Sequence, residues 1–172
     1  MGVTIVGLAR VIDKLGPELI SGPLDKFWKR IGVTIQSRAR EHAPVDLGHL
    51  KNAIDYATDD STPPLWARVG LLNASEGSPL WFKGRAMEYG TGKQGDPAVS
   101  HKSSHWPPGP ALDVWANRHG FASGFQVAQI IGRRGGLKPR SYLRSGLKDS
   151  LSAIQKFIDQ LGNDIQAIWS SR

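Results

Sequence analysis

The chain has 172 residues, 40% of them apolar and 22% charged, with six Trp, a composition that excludes intrinsic disorder and predicts a packed core. It contains no Cys, which excludes disulfide frameworks, thiolate metal sites, iron–sulfur clusters and thiol nucleophiles together. The net charge of +7 is local: residues 108–148 carry +6, whereas 1–60 balance to zero, 61–107 carry +2 and 149–172 carry −1.

This length suits a single domain over 1–172 with long loops and a small helical insert at about 108–134. No apolar run approaches the roughly 18 residues of a membrane span. The opening residues lack the basic and long apolar regions of a secretory signal, so a cytoplasmic chain without membrane contact is expected.

Residues 3–6 are a β-branched run suited to an edge strand, and a brief helical piece through Leu15 is expected to stop at Gly16-Pro17. Leu24, Phe27, Trp28, Ile31, Ile35 and His42 then recur at helical spacing. They predict an amphipathic helix over 23–42, with Ser21 or Gly22 at the cap and Pro23 in the first turn. Ala43-Pro44 ends it, because a residue before proline is pushed out of the helical region.

Residues 53–58 and 65–71 alternate in part and flank the polar stretch Asp59-Asp60-Ser61-Thr62-Pro63-Pro64, which predicts two antiparallel strands and a loop. A third extended or mixed segment is expected over 81–89. Residues 90–110 are rich in Gly and Pro without periodicity and read as a long loop. A short helix over 110–119 is closed by Gly120, and another over 125–131 by Gly132 or Gly135-Gly136. Leu147, Leu151, Ile154, Ile158, Leu161, Ile165 and Ile168 step alternately by four and three, the seam of a helix of about six turns. Packing within the subunit is the expected use of that seam, and a neighbouring subunit is the alternative.

The residues offer little chemistry. His101 and His105 have the spacing of a helical metal pair but stand in a loop without a third ligand, so no metal or other cofactor is expected. Gly90-Thr91-Gly92-Lys93 fails as a phosphate-binding loop, which would place Gly at Met87 and Ser or Thr at Gln94. Ser123 does not sit in a nucleophile-elbow pattern and reads as a turn residue. Glu88, Asp96 and Asp113 form no recognisable acid/base pair, and Asp46, between Pro44 and Gly48, suits a turn. No catalytic residue is expected. Arg133, Arg134, Lys138, Arg140 and Arg144 place five cations in twelve residues, either a solvated hinge or a contact surface for DNA or an acidic protein.

Four stretches resemble, in order, the motifs of a family of tailed-bacteriophage tail-component proteins of the neck or head-proximal tail. Residues 43–54, with Pro44, Asp46, Gly48 and Leu50, resemble its "aPvdtG.Lr.si" signature; Met87-Glu88-Tyr89-Gly90-Thr91-Gly92 is similar to its "vEyGT" segment. Residues 110–120 are like a helical insert of many members, and 131–143 like "I.rrG.k.rpfl" before the closing helix. Leu47 stands where the family has a small hydroxyl residue, Ser141-Tyr142 where it has Pro-Phe, and 93–109 has no counterpart.

The resemblance implies an α+β fold, an antiparallel sheet packed against long N-terminal and C-terminal helices. It also implies a non-enzymatic virion protein, made and assembled in the host bacterial cytoplasm. Its expected form is a cyclic homo-oligomer, a hexamer, at the head–tail junction, in contact with neck, connector and tail proteins and with passing DNA. The 90–110 loop and the first strand are expected to bridge subunits, and Arg133, Arg134, Lys138 and Arg140 to face the lumen. A tail terminator capping the tail tube is one alternative. A sequence-independent nucleic-acid-binding module is another, and a small polysaccharide enzyme, suggested by six Trp and scattered acids, ranks last.

Overall fold

A computed structural model describes residues 16–99 and 102–171, so the strand expected at 3–6, the helical piece before Gly16, and His101 lie outside the described residues. Chain order is α1 Pro17–His42, α2 His49–Ala53, β1 Asp55–Thr58, β2 Ala67–Gly70, α3 Pro79–Tyr89, α4 Asp113–Arg118, α5 Gly124–Arg133 and α6 Tyr142–Ser170. Single 3-10 turns occur at Gly92–Gln94 and Gly109–Leu112. The fold is thus the expected α+β mixture, a two-stranded antiparallel sheet with long first and last helices. Its residues form two compact units: 16–74 with 142–171, and 75–141, which holds the expected insert.

In the first unit, α1 begins at Pro17 rather than Pro23, and Pro23 lies inside it. The missing Pro23 N–H forfeits one backbone bond. Against that loss, the extra turns bring Ile20 onto the face of Leu24, Phe27, Trp28 and Ile31, where Ile20 and Leu24 are wholly buried. Burying one such side chain contributes roughly 1.5–3 kcal/mol, so the longer helix wins. Ala43 ends α1 in extended conformation, as the following proline requires.

α6 starts at Tyr142, five residues before its apolar seam begins, and its Ile154 and Leu161 complete the core against α1. The two helices are antiparallel. His42, at the end of α1, meets Asp149 (Nε2 to Oδ2 2.6 Å), and Arg30 lies over the Phe157 ring at 6.0 Å. They approach tightly at Gly146, where a Cβ would stand 2.5 Å from the Ala39 nitrogen. Leu151, on the same seam, remains exposed.

β1 and β2 pair in the register Asp55↔Gly70 to Thr58↔Ala67, and the Asp59 N–H extends the ladder to the Trp66 carbonyl at 3.0 Å. α1 anchors this hairpin. Tyr56 lays its ring on Gly32, Gln36 Nε2 donates to the Ile54 carbonyl (3.0 Å), and Arg40 donates to the same oxygen from Nε and Nη2 (3.1 and 2.7 Å). Trp28 Nε1 holds the loop through the Pro64 carbonyl at 2.9 Å. β1 starts two residues later than expected, because His49–Ala53 is a short helix that buries Leu50.

In the second unit, the segment expected to be extended or mixed over 81–89 is helix α3 throughout. Ser78 caps it, accepting from the Trp81 N–H at 3.2 Å, and Pro79 occupies the first turn, a start signal that outweighs the aromatic, strand-like composition that follows. α5 is capped likewise by Ser123, and Asp113 accepts from the Gly124 N–H at 2.7 Å. Gly124 in turn sits directly against the Gly109 carbonyl, too close for any side chain.

Candidate functional site

The second unit is organised where α3 runs out. Gly90 (φ 69) and Gly92 (φ 58) take left-handed conformations around Thr91, and the chain past α5 turns through Gly135 (φ 86) and Gly136 (φ 135). Left-handed backbone is open to glycine and costly for other residues, so the paired glycines permit two tight bends to meet. Thr91 donates its N–H to the Leu137 carbonyl (2.9 Å), and its Oγ1 accepts from the Leu137 N–H (3.0 Å). Lys93 N–H donates to the Gly135 carbonyl (2.8 Å), and Arg140 N–H to the Met87 carbonyl (2.7 Å).

The approach leaves no room for side chains. A Cβ on Gly90 would lie 2.5 Å from the Leu137 carbonyl oxygen, and one on Gly136 would collide with the Thr91 carbonyl. Ser141, at φ 50, is the one non-Gly residue of positive φ among the described residues. Its N–H reaches the Met87 carbonyl and its hydroxyl the Glu88 carbonyl, both at 3.3 Å, which offsets the strain. Glu88 is 3% exposed at the end of α3, Tyr89 is half-buried, and the Tyr89 carbonyl accepts from the Asp96 N–H at 2.7 Å.

Two motif stretches far apart in sequence thus form one backbone-tight knot. The first-unit motif positions behave in the same way. Gly48 is left-handed (φ 77) and opens α2, Leu50 is 1% exposed, and Pro44 and Asp46 are half-buried. These residues set backbone course and packing.

The cations stand on the exposed side of this segment, Lys138 and Arg140 within the knot itself and Arg133 and Arg134 just before it. Arg133, Arg134, Lys138 and Arg140 are exposed, and among the described residues no carboxylate pairs with any of them. Arg144 is half-buried on α6, in the first unit, and does not share their exposure. The residue that sequence reasoning missed is Trp106. Its indole covers Gly132, immediately before Arg133, yet the residue is 56% exposed. Gly132, expected to close the helix over 125–131, lies inside α5 instead, and its missing side chain is what admits the indole.

The carboxylates considered for catalysis are committed elsewhere. Asp96 accepts from the Ala98 N–H at 3.0 Å, a turn closure, and Asp113 holds the start of α5. Among the described residues no group of three or more His, Cys, Asp or Glu is placed to hold a metal ion. No helix of the described residues is long and apolar enough to cross a membrane. No protein-family model, curated protein or solved structure matches the chain.

Proposed function

We propose that this chain is a structural component of a tailed-phage or prophage particle, assembling as a cyclic ring at the head–tail junction in a neck or tail-completion role. The observation that carries the reading is the knot joining residues 87–92 to 135–141. Two of the four stretches on which the resemblance rests hold each other through backbone hydrogen bonds and glycines that admit no side chain. Residues constrained by one shared fold are those in which a family signature persists.

The surfaces suit assembly. Val45, Leu47 and Leu65 on the first unit, and Phe82, Val114 and Phe125 on the second, are large apolar side chains left exposed. Apolar groups of this kind gain free energy when a neighbour covers them. A cyclic ring forms when one surface of each copy meets a different surface of the next. The exposed cations then form a ring of positive charge, able to meet a phosphate backbone or an acidic neighbour. In this role the chain performs no reaction; it binds, orders and connects.

Disrupting the gene in its parent phage and imaging the lysate tests the reading. Full heads beside separate tails are expected for a neck or completion protein, and tails of aberrant length indicate the terminator role instead. Intact infectious particles overturn both.

A further inference from the structure

Trp106 is held flat. The Cβ position of Gly132 falls within 2.5 Å of Cδ2, Cε3 and Cε2 of the indole, and a point that close to these three atoms must lie over the ring face. One face therefore rests on the α5 backbone. At 56% exposure, the other face is open to solvent.

Three cations belong to the turn that carries this platform. Arg133 and Arg134 follow Gly132 directly, and both are exposed. The turn closes with the Gly135 N–H on the Gly132 carbonyl (3.0 Å), and the Lys93 stem lies along Gly135, 3.2 Å from where its Cβ would be. His105, the residue before Trp106, donates its N–H to the Gly135 carbonyl at 3.4 Å, tying the indole's own segment to the same turn. None of Lys93, Arg133 and Arg134 is paired with a carboxylate among the described residues.

We infer that Trp106, Lys93, Arg133 and Arg134 form a binding surface for a single-stranded polynucleotide, with one base stacked on the open indole face and the adjoining phosphates on the three cations. A rigid aromatic face beside unpaired cations is the arrangement that binds single strands without sequence preference. Duplex DNA offers the phosphates but keeps its bases stacked inside. A neutral glycan would use the indole but leave three cations unsatisfied, and an acidic peptide would leave the indole bare. This inference does not depend on the ring assignment, and its failure leaves that assignment standing.

The test measures binding of the full chain to a labelled thymidine oligonucleotide, a uridine oligonucleotide and a DNA duplex of equal length, with polyglutamate as competitor. Both single strands should bind more tightly than the duplex; a preference for one of them identifies DNA or RNA as the natural source. Trp106→Ala should weaken single-strand affinity by roughly 5- to 150-fold, and Trp106→Phe should keep most of it. Replacing Arg133 and Arg134 with Ala should reduce the slope of log affinity against log salt by about 1.4. A bromodeoxyuridine oligonucleotide should photocrosslink to Trp106 of the unaltered chain, a readout that no variant's folding can disturb. Equal affinity for duplex and single strand, polyglutamate competing as well as oligonucleotide, or crosslinking elsewhere would each overturn the inference.

Discussion

Thr91 and Leu137, 46 residues apart, are bound twice: the Thr91 N–H donates to the Leu137 carbonyl at 2.9 Å, and the Leu137 N–H donates to Thr91 Oγ1 at 3.0 Å. The hydroxyl is therefore the partner of a part-buried amide. Thr91→Val keeps the shape and removes the acceptor, which should cost about 1–3 kcal/mol, whereas Thr91→Ser should cost less than half as much. Urea unfolding of the two variants checks this, with hydrogen exchange at the Leu137 amide locating the loss. Equal stability of Thr91→Val and the parent would refute the role given to the hydroxyl.

Gly136 and Gly77 both have positive φ, but only Gly136 is enclosed. A Cβ on Gly136 meets the Thr91 carbonyl, while one on Gly77 meets nothing within 4 Å. Gly77→Ala should cost only the backbone penalty of about 1–2 kcal/mol. Gly136→Ala adds a collision with main chain that cannot swing aside, and its thermal midpoint should fall well below that of Gly77→Ala. Similar midpoints would contradict the tight approach.

The α1–α6 pair offers a matched contrast. Gly146→Ala places a methyl 2.5 Å from the Ala39 nitrogen and 2.7 Å from its Cα, so the helices must part, at about 1–3 kcal/mol. Gly162 on the same helix has open space, and Gly162→Ala should stabilise by about 0.5–1 kcal/mol through helix propensity. Opposite shifts of the urea midpoint are expected; shifts of the same sign would contradict the packing described.

Asp59 shapes the turn between β1 and β2. Its carboxyl is held below the ordinary value of 3.8, first by the Ser61 hydroxyl (2.5 Å) and then by the Ser61 N–H (3.1 Å), with the Leu65 N–H (3.1 Å) assisting. A depressed folded pKa gives a contribution fully present above the unfolded value and lost as pH falls through the folded one. The turn should accordingly loosen only in acid, below the ordinary aspartate range. An NMR titration should place the Asp59 midpoint low in the parent and nearer the ordinary value in Ser61→Ala; an unmoved midpoint would refute the cause.

Local signals in the sequence account for the helices and the hairpin. The four-and-three stride from Leu147 to Ile168 marks α6, and the spacing of Leu24, Phe27, Trp28 and Ile31 marks α1. Reading was misled where a local rule met a tertiary gain. Pro23 looked like a helix start, but burial of Ile20 carries α1 through it. Over 81–89 the sequence reads as extended or mixed, whereas the Ser78 cap and Pro79 start a helix that runs through it. The knot lay beyond such reading, because nothing near Thr91 specifies a partner at Leu137. Outside the resemblance, Gly90 and Gly92 drew notice only as a failed phosphate-binding loop and Gly135-Gly136 only as a helix end, since a glycine in sequence does not name the backbone that approaches it. Trp106 on Gly132 is a long-range contact of the same kind.

The proposed role, joining head to tail, can be measured directly. Lysate of the disrupted phage, separated into full heads and tails, is mixed with the purified chain, and infectious particles are counted. The account predicts that the chain restores joined, infectious particles and that electron microscopy finds it as a ring at the junction. Heads and tails that stay separate, with no added density on either, would contradict it.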